Sequence, residues 1–171
     1  MYTIRLALPK DAQYLPAIEA SAGLKFADNP KYGWIAGGEG QTEQDHLAFI
    51  HQQLEWVAVN DKDQPVGFIN TEKLGNSLHI CELSVCQNYQ GQGIGKRLIE
   101  TVIEATLSMK LHEVTLTTFH DVPWNAPFYQ YIGFRILQEH ELSADLRHIM
   151  EQEEDAGLQR KDRCAMIMKI N

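Results

Sequence analysis

Residues 78–107 read LHICELSV (78–85), CQNYQGQGIGKR (86–97), LIETVIEATL (98–107). Leu78, Ile80, Cys81, Leu83, Val85 and Cys86 make a short, mostly apolar run of strand length. Leu98, Ile99, Val102, Ile103 and Thr106 then recur at helical spacing, with Gly91, Gly93 and Gly95 between the two patterns. A strand, a glycine-rich turn and a helix follow one another. Such a turn leaves backbone N–H groups unpaired at the positive end of the helix dipole, where an anion is stabilised. The stretch therefore predicts a phosphate-binding turn at the end of a central strand.

The spacing decides which phosphate ligand. A dinucleotide fingerprint needs Gly-x-Gly-x-x-Gly, but the sixth position counted from Gly91 is Lys96. A Walker A loop needs Gly five residues before Gly95 and Ser or Thr after Lys96; those positions hold Gln90 and Arg97. What remains is Gln90-x-x-Gly93-x-Gly95 after a strand carrying Glu82-Leu83-Ser84-Val85. This resembles motif A of the GNAT superfamily of acetyl-CoA-dependent N-acetyltransferases. By that resemblance Leu83, Ser84 and Val85 would offer backbone groups to the pantetheine arm as an added strand does. Gly91, Gln92, Gly93, Ile94, Gly95 and Lys96 would present N–H groups to the pyrophosphate of acetyl-CoA, Lys96 adding positive charge.

Outward from this stretch, Tyr2–Leu8 reads as a first strand with Ile4, Leu6 and Leu8 on one face, and Asp11 as the cap of the helix that follows. Residues 21–41 are broken by glycines and Pro30 yet carry Phe26, Tyr32 and Trp34, aromatics that either pack on the body or wall a substrate. A second helix is expected from Gln41 to about Gln53. The strands Leu54–Asn60 and Pro65–Glu72 form a hairpin, and Gly75-Asn76 turns into the central strand. After the long helix come a strand Glu113–Phe119, a short helix Trp124–Ile132 stopped by Gly133, and a strand Phe134–His140. A helix with Leu142, Leu146, Ile149 and Met150 on one face precedes a closing strand, Cys164–Ile170. The expected fold is mixed α/β: a mostly antiparallel sheet of about seven strands flanked by helices, one domain over residues 1–171. The resemblance covers essentially the whole chain. It implies that the strand ending near Val85 and the strand Glu113–Phe119 splay apart to admit acetyl-CoA.

The totals narrow the function class. The chain has 171 residues, 44% of them hydrophobic and 22% charged, which are values for a globular domain with a sizeable core. A formal net charge of −8 argues against nucleic acid or an anionic membrane as partner, since either needs a basic footprint. No apolar run approaches the length that spans a bilayer, and the first residues alternate like a strand rather than forming a signal peptide's apolar core. Three cysteines without a Cys-x-x-Cys fit a reducing cytoplasm. The seven histidines show no metal-ligand spacing, so no metal is expected.

A second signature lies downstream. Pro127-Phe128-Tyr129-Gln130-Tyr131-Ile132-Gly133-Phe134 matches the family's aromatic-Tyr-x-x-x-Gly-Phe pattern. The resemblance makes Tyr129 the general acid that protonates the departing thiolate, a phenol being well matched to a thiol; the other reading is a tyrosine packed at a helix–sheet seam. Many members carry an asparagine seven residues before this tyrosine, where it hydrogen-bonds the cofactor. Here that position is Val122, and Asn125 either substitutes for it or caps the helix. An amine must lose a proton before it attacks a thioester. Glu82 leads as the base because in several members an acid on this strand takes that role; an ion-paired structural acid is the other reading. His120, oriented by Asp121, is the runner-up.

The sequence thus predicts transfer of an acetyl group from acetyl-CoA to an amine in a direct ternary complex. Glu19, Asp28, Glu39 and Glu43, with the loop aromatics, favour a small cationic amine; a protein N-terminus or lysine is the other acceptor, and an acyl-CoA sensor without turnover the other function. Members of the family are often homodimers, an assembly the resemblance adds without specifying it.

Overall fold

A computed structural model describes residues 1–171 of the chain. Its strands are β1 (Tyr2–Leu6), β2 (Glu55–Asn60), β3 (Pro65–Leu74), β4 (Ser77–Val85), β5 (Glu113–Phe119), β6 (Arg135–Ile136) and β7 (Arg163–Lys169). The helices are α1 (Leu15–Gly23), α2 (Glu43–His51), α3 (Ile94–Ser108), α4 (Ala126–Ile132) and α5 (Ala144–Asp155). The sheet has seven strands in the order β1-β2-β3-β4-β5-β7-β6, so the expected mixed α/β, mostly antiparallel architecture is the observed one. The chain divides into two compact units, Met1–Glu72 with Glu82–Thr101, and Lys73–Cys81 with Val102–Asn171.

In the first unit β1, β2 and β3 run antiparallel, from Tyr2↔Asn60 to Leu6↔Trp56 and from Glu55↔Asn70 to Val59↔Pro65, with a bulge between Ala58 and Val59. Directly opposed residues share a face, so Arg5 lies beside Val57 and Thr3 beside Val59. That face belongs to the core of Ala7, Ala12, Leu15, Ile18, Ile50, Val57, Val59 and Phe68. The alternation of Ile4, Leu6 and Leu8 pointed to the other face. The strand stops at Leu6, and Leu6 and Leu8 are exposed, because Ala7 takes the inward position, with its N–H on the Glu55 carbonyl at 2.9 Å. Asp11 does not cap α1 either. It sits within a 3-10 turn, Pro9–Tyr14, where its buried carboxylate accepts the Leu8 N–H at 2.7 Å and the Arg5 guanidinium at 2.7 and 3.1 Å.

The segment between α1 and α2 is less irregular than its glycines suggest, with 3-10 turns at Leu24–Phe26 and Gly33–Gly37. Tyr32 packs into the body and Trp34 is half exposed. Thr42 begins α2, its hydroxyl accepting the Asp45 N–H while the Asp45 carboxylate accepts the Thr42 N–H, a capping box in which aspartate stands for the usual glutamate.

In the second unit β5 pairs parallel with β4 from Ser77↔Glu113 to Ile80↔Leu116, and antiparallel with β7 from Glu113↔Lys169 to Phe119↔Arg163. The expected strand Phe134–His140 is cut to two residues. After Ile136 only the Leu137 N–H reaches β7, at Ala165 O, before the chain tightens into a 3-10 turn, Glu139–Glu141, fastened by Arg135 to Glu141 at 3.0 Å. Ser143 caps α5, which lays Leu146 and Met150 against Ala165. No helix is long and apolar enough to cross a membrane.

Candidate functional site

The first unit holds the strand–turn–helix stretch. At the end of β4 the Cys86 N–H reaches Val66 O at 2.9 Å, and a 3-10 turn, Gln87–Tyr89, lifts the chain off the strand. Ser21 Oγ on α1 accepts the Gln87 N–H at 3.0 Å, and Gln90 reaches back to donate Nε2–H to Val85 O at 3.0 Å. Between these tethers and the helix, Gly91 (φ +75°) and Gly93 (φ +82°) adopt backbone conformations that favour glycine, and open space surrounds the position of a Cβ at both. The turn is thus a shallow backbone surface with no side chain covering these glycines.

Helix α3 begins at Ile94, which is buried and anchors the helix start, and the Arg97 N–H makes the i→i−4 bond to Gly93 O at 3.1 Å. The N–H groups of Ile94, Gly95 and Lys96 lie ahead of that bond, where helix geometry leaves donors over. The first turn carries no acid and two cations, Lys96 and Arg97. Cations there oppose the helix dipole, and Glu100 offsets them only at 4.0 and 3.6 Å on an exposed surface. A local choice that runs against helix stability is expected where a function demands it, and an anion on this turn would satisfy both the cations and the leftover N–H groups.

On β4 the period of two puts Glu82 and Ser84 on one face and Leu83 and Val85 on the other. The Ser84 hydroxyl, on a buried residue, donates to Glu82 Oε1 at 2.9 Å. Gly67 on β3 allows the close approach: a Cβ there would stand 3.1 Å from Ser84 O, 3.3 Å from Val85 Cγ2 and 3.4 Å from Ile94 Cγ2. The sequence reading did not single out Gly67. Its signal was a glycine between Val66 and Phe68 inside a strand pattern.

The second unit holds the aromatic signature. Tyr129 lies on α4, its ring edge-on to Phe128 at 5.3 Å and to Phe134 at 5.8 Å, and Gly133 (φ +127°) ends the helix. Asn125 occupies the residue before α4 but makes no side-chain cap; its Oδ1 accepts the Thr118 hydroxyl at 2.9 Å, tying the helix start to β5. The cap reading is corrected, because Oδ1 is committed to the strand. Val122, the position where the resemblance led one to look for an asparagine, is buried. His120 is exposed and its Nε2 lies 2.7 Å from Lys161 O. A carbonyl only accepts, so Nε2 carries hydrogen and Nδ1 is the nitrogen left to take a proton.

Neither Cys86 nor Cys164 has the setting of a nucleophile. Burial raises the Cys86 thiol pKa and pushes Cys164 up to about 11. A glycine-rich turn with open space over two glycines, after a strand bearing Glu82 and Ser84, and a tyrosine–glycine–phenylalanine signature on the helix after β5, are both in place. The family model for the acetyltransferase (GNAT) domain matches residues 51–136, which span both features.

The chain belongs to the GNAT acetyltransferase family. It is 33% identical over 100 residues to the peptidyl-lysine N-acetyltransferase YjaB of Escherichia coli K12, a match covering 57% of this chain and 62% of that protein. Less than two thirds of that relative's length is therefore matched. Among solved structures, a GNAT-family acetyltransferase from Staphylococcus aureus superposes with a TM-score of 0.73 over the whole of both chains at 18% identity. The PaiA N-acetyltransferase of Thermoplasma acidophilum, solved with coenzyme A, gives 0.70 over 99% of both chains at 17% identity. At such identities these two likenesses speak for the fold.

Proposed function

We propose that this GNAT chain transfers the acetyl group of acetyl-CoA to an amine nitrogen. The observation that carries the reading is the turn Gln90–Lys96: two glycines at positive φ, open space over both, and a helix start that gathers leftover N–H groups and two cations. That donor set suits a diphosphate, and the coenzyme A in the PaiA structure supports it. Acetyl-CoA supplies the activated acyl group. Gly91, Gln92, Gly93, Ile94, Gly95 and Lys96 hold its pyrophosphate, and backbone groups of Leu83, Ser84 and Val85 its pantetheine arm.

The amine lone pair attacks the thioester carbon, the C–N bond forms and the C–S bond breaks. Glu82 takes the proton that the amine loses, with His120 Nδ1 the alternative base, and Tyr129 gives the departing thiolate its proton. Asn125 serves the cofactor through its amide nitrogen, since its oxygen already accepts from Thr118. A small cationic amine is the favoured acceptor, supported by the net charge of −8 and the acids around the α1–α2 segment. A second reading, a lysine side chain of a peptide, is favoured by the activity named for the E. coli relative.

Calorimetric titration with acetyl-CoA, followed by thiol release over a panel of amines and lysine peptides, tests both. Binding with amine-dependent release supports transfer. Tight binding with no amine accelerating release would leave an acyl-CoA sensor, and no binding at millimolar acetyl-CoA would end the reading.

A further inference from the structure

Two polar side chains of the first unit meet on β4. The Ser84 hydroxyl donates to Glu82 Oε1 at 2.9 Å. Their reach differs: Glu82 is half-buried, whereas Ser84 is 3% exposed. Close packing encloses Ser84. Strand β3 approaches through Gly67, where a Cβ would stand 3.1 Å from Ser84 O and 3.4 Å from Ile94 Cγ2. A hydroxyl so enclosed is out of reach of an acceptor amine, so it acts on a reaction only through Glu82.

A buried hydroxyl has lost its water and needs a partner. Backbone carbonyls supply one for Thr71, which donates to Leu54 O at 3.2 Å, and for Thr106, which donates to Val102 O at 2.7 Å. Ser84 spends its proton on a side chain instead. An O–H bonded to a carboxylate is charge-assisted, and it favours the ionised form over the protonated one. Glutamate is also among the side chains with the most rotamer freedom to lose, and a general base must sit within hydrogen-bond reach of the proton it takes. One bond thus serves both needs of a base.

We infer that Ser84 is a positioning residue for the transfer reaction, its hydroxyl holding the Glu82 carboxylate ionised and in one orientation. The inference rests on the proposed acetyl transfer, with Glu82 as the group that takes the amine proton. The hydroxyl keeps its own proton throughout: the amine proton passes to Glu82 and leaves from there to solvent. The other titratable groups of this unit are common to the wild type and any Ser84 variant. Chief among them are Lys96 and Arg97 at the start of α3, and the buried His46–Glu55 pair at 2.7 Å, with Asn70 donating to Glu55 Oε1 at 3.1 Å. Glu19, which accepts the Gln41 N–H at 2.7 Å, is another. Differences between variants therefore report on Glu82 and Ser84.

The test reads the carboxyl and the reaction separately. In the full chain carrying glutamate labelled with carbon-13 at the side-chain carboxyl, the resonance that vanishes in Glu82→Gln belongs to Glu82, and its titration needs no turnover. Ser84→Ala should move that titration upward by about one pH unit. Ser84→Thr, which keeps a hydroxyl, should bring it back toward the wild-type position. Thiol release from acetyl-CoA, with the best acceptor of the amine and peptide panel, gives the second readout. The ascending limb of kcat/KM against pH should move upward by the same amount in Ser84→Ala, so that the rate below the limb falls about tenfold. Ser84→Ala added to Glu82→Gln should leave the profile of Glu82→Gln as it is. A Glu82 carboxyl that titrates alike in the wild type and Ser84→Ala would overturn the inference alone. A carboxyl that shifts while the limb stays put would reduce the bond to a structural one and take the base role from Glu82. Absence of turnover with every acceptor would end the transfer reading, and the inference with it.

Discussion

Gln90 closes the glycine-rich turn onto the strand before it, donating its side-chain N–H to the carbonyl of Val85 at 3.0 Å. The bond occupies part of the Val85 carbonyl, a group proposed above to meet the pantetheine arm, and it fixes where Gly91 and Gly93 begin. Gln90 is thus a support for the turn. Gln90→Ala removes one neutral hydrogen bond, worth about 1 kcal/mol, so acetyl-CoA affinity should fall about fivefold by calorimetry with the far-ultraviolet spectrum unchanged. A loss of a hundredfold or more would mean that the side chain touches the cofactor itself.

Gly93 gives a sharper test of the diphosphate grip. At φ +82° with open space around its Cβ position, Gly93→Val meets no clash but places a β-branched residue in a conformation that costs an ordinary residue about 1–2 kcal/mol. The turn should relax away from this backbone path and acetyl-CoA binding should be lost, while the melting temperature shifts by only a few degrees. Native affinity in this variant would remove the turn from the site.

The strand–turn–helix stretch was legible because three signals agree there: an apolar run, glycines and helical periodicity. β5 was read to the residue, since Glu113–Phe119 alternates cleanly between turns. Other features depend on packing that a pattern does not carry. The Ile4–Leu6–Leu8 alternation was clear yet did not say which face is covered, because helix packing and an alanine at position 7 settle which side is inside. The strand after Gly133 was read too long, since nothing local announces that Arg135 and Glu141 will fasten a turn. The His46–Glu55–Asn70 chain was invisible, as its members lie far apart in sequence and only the β2–β3 register brings Glu55 opposite Asn70.

Tyr129 separates chemistry from packing through a single oxygen. Tyr129→Phe keeps the edge-on ring contacts with Phe128 and Phe134. Removing a general acid costs about a hundredfold or more in turnover, so kcat should drop by that factor while the acetyl-CoA dissociation constant and the melting temperature hold. An unchanged kcat would make the residue a seam-packing tyrosine.

The proton acceptor is distinguished by pH. Glu82 receives the Ser84 hydroxyl at 2.9 Å, and His120 has only Nδ1 to offer, its Nε2–H being spent on Lys161 O. If Glu82 is the base, the ascending limb of kcat against pH should disappear in Glu82→Gln and persist in His120→Gln. The opposite pair of profiles would transfer the role to His120.

His79 gives a prediction about stability that is independent of catalysis. It is buried on β4, with Nδ1 3.0 Å from Thr115 Oγ1. Burial lowers its pKa from 6.5 to about 4, against a small opposing pull from Glu153. Between these values the unfolded chain binds a proton that the folded chain does not, so stability is full above pH 6.5 and falls as pH drops toward 4. Each unit of depression corresponds to about 1.4 kcal/mol, which puts the whole loss at about 3 kcal/mol. Asp45, Asp63 and Glu141 have lowered pKa values, so their contributions are lost only below the ordinary carboxylate range. Glu19 and Glu55 have raised ones and work in the opposite direction, favouring the fold as pH falls. These carboxylates are common to the wild type and His79→Gln, so the difference between the two isolates the imidazole. Urea unfolding at pH 7.0, 6.0 and 5.0 (about the window in which imidazole titrates when free) should show the wild type losing stability relative to His79→Gln at each step. Parallel curves for the two proteins would mean that His79 accepts its proton without unfolding.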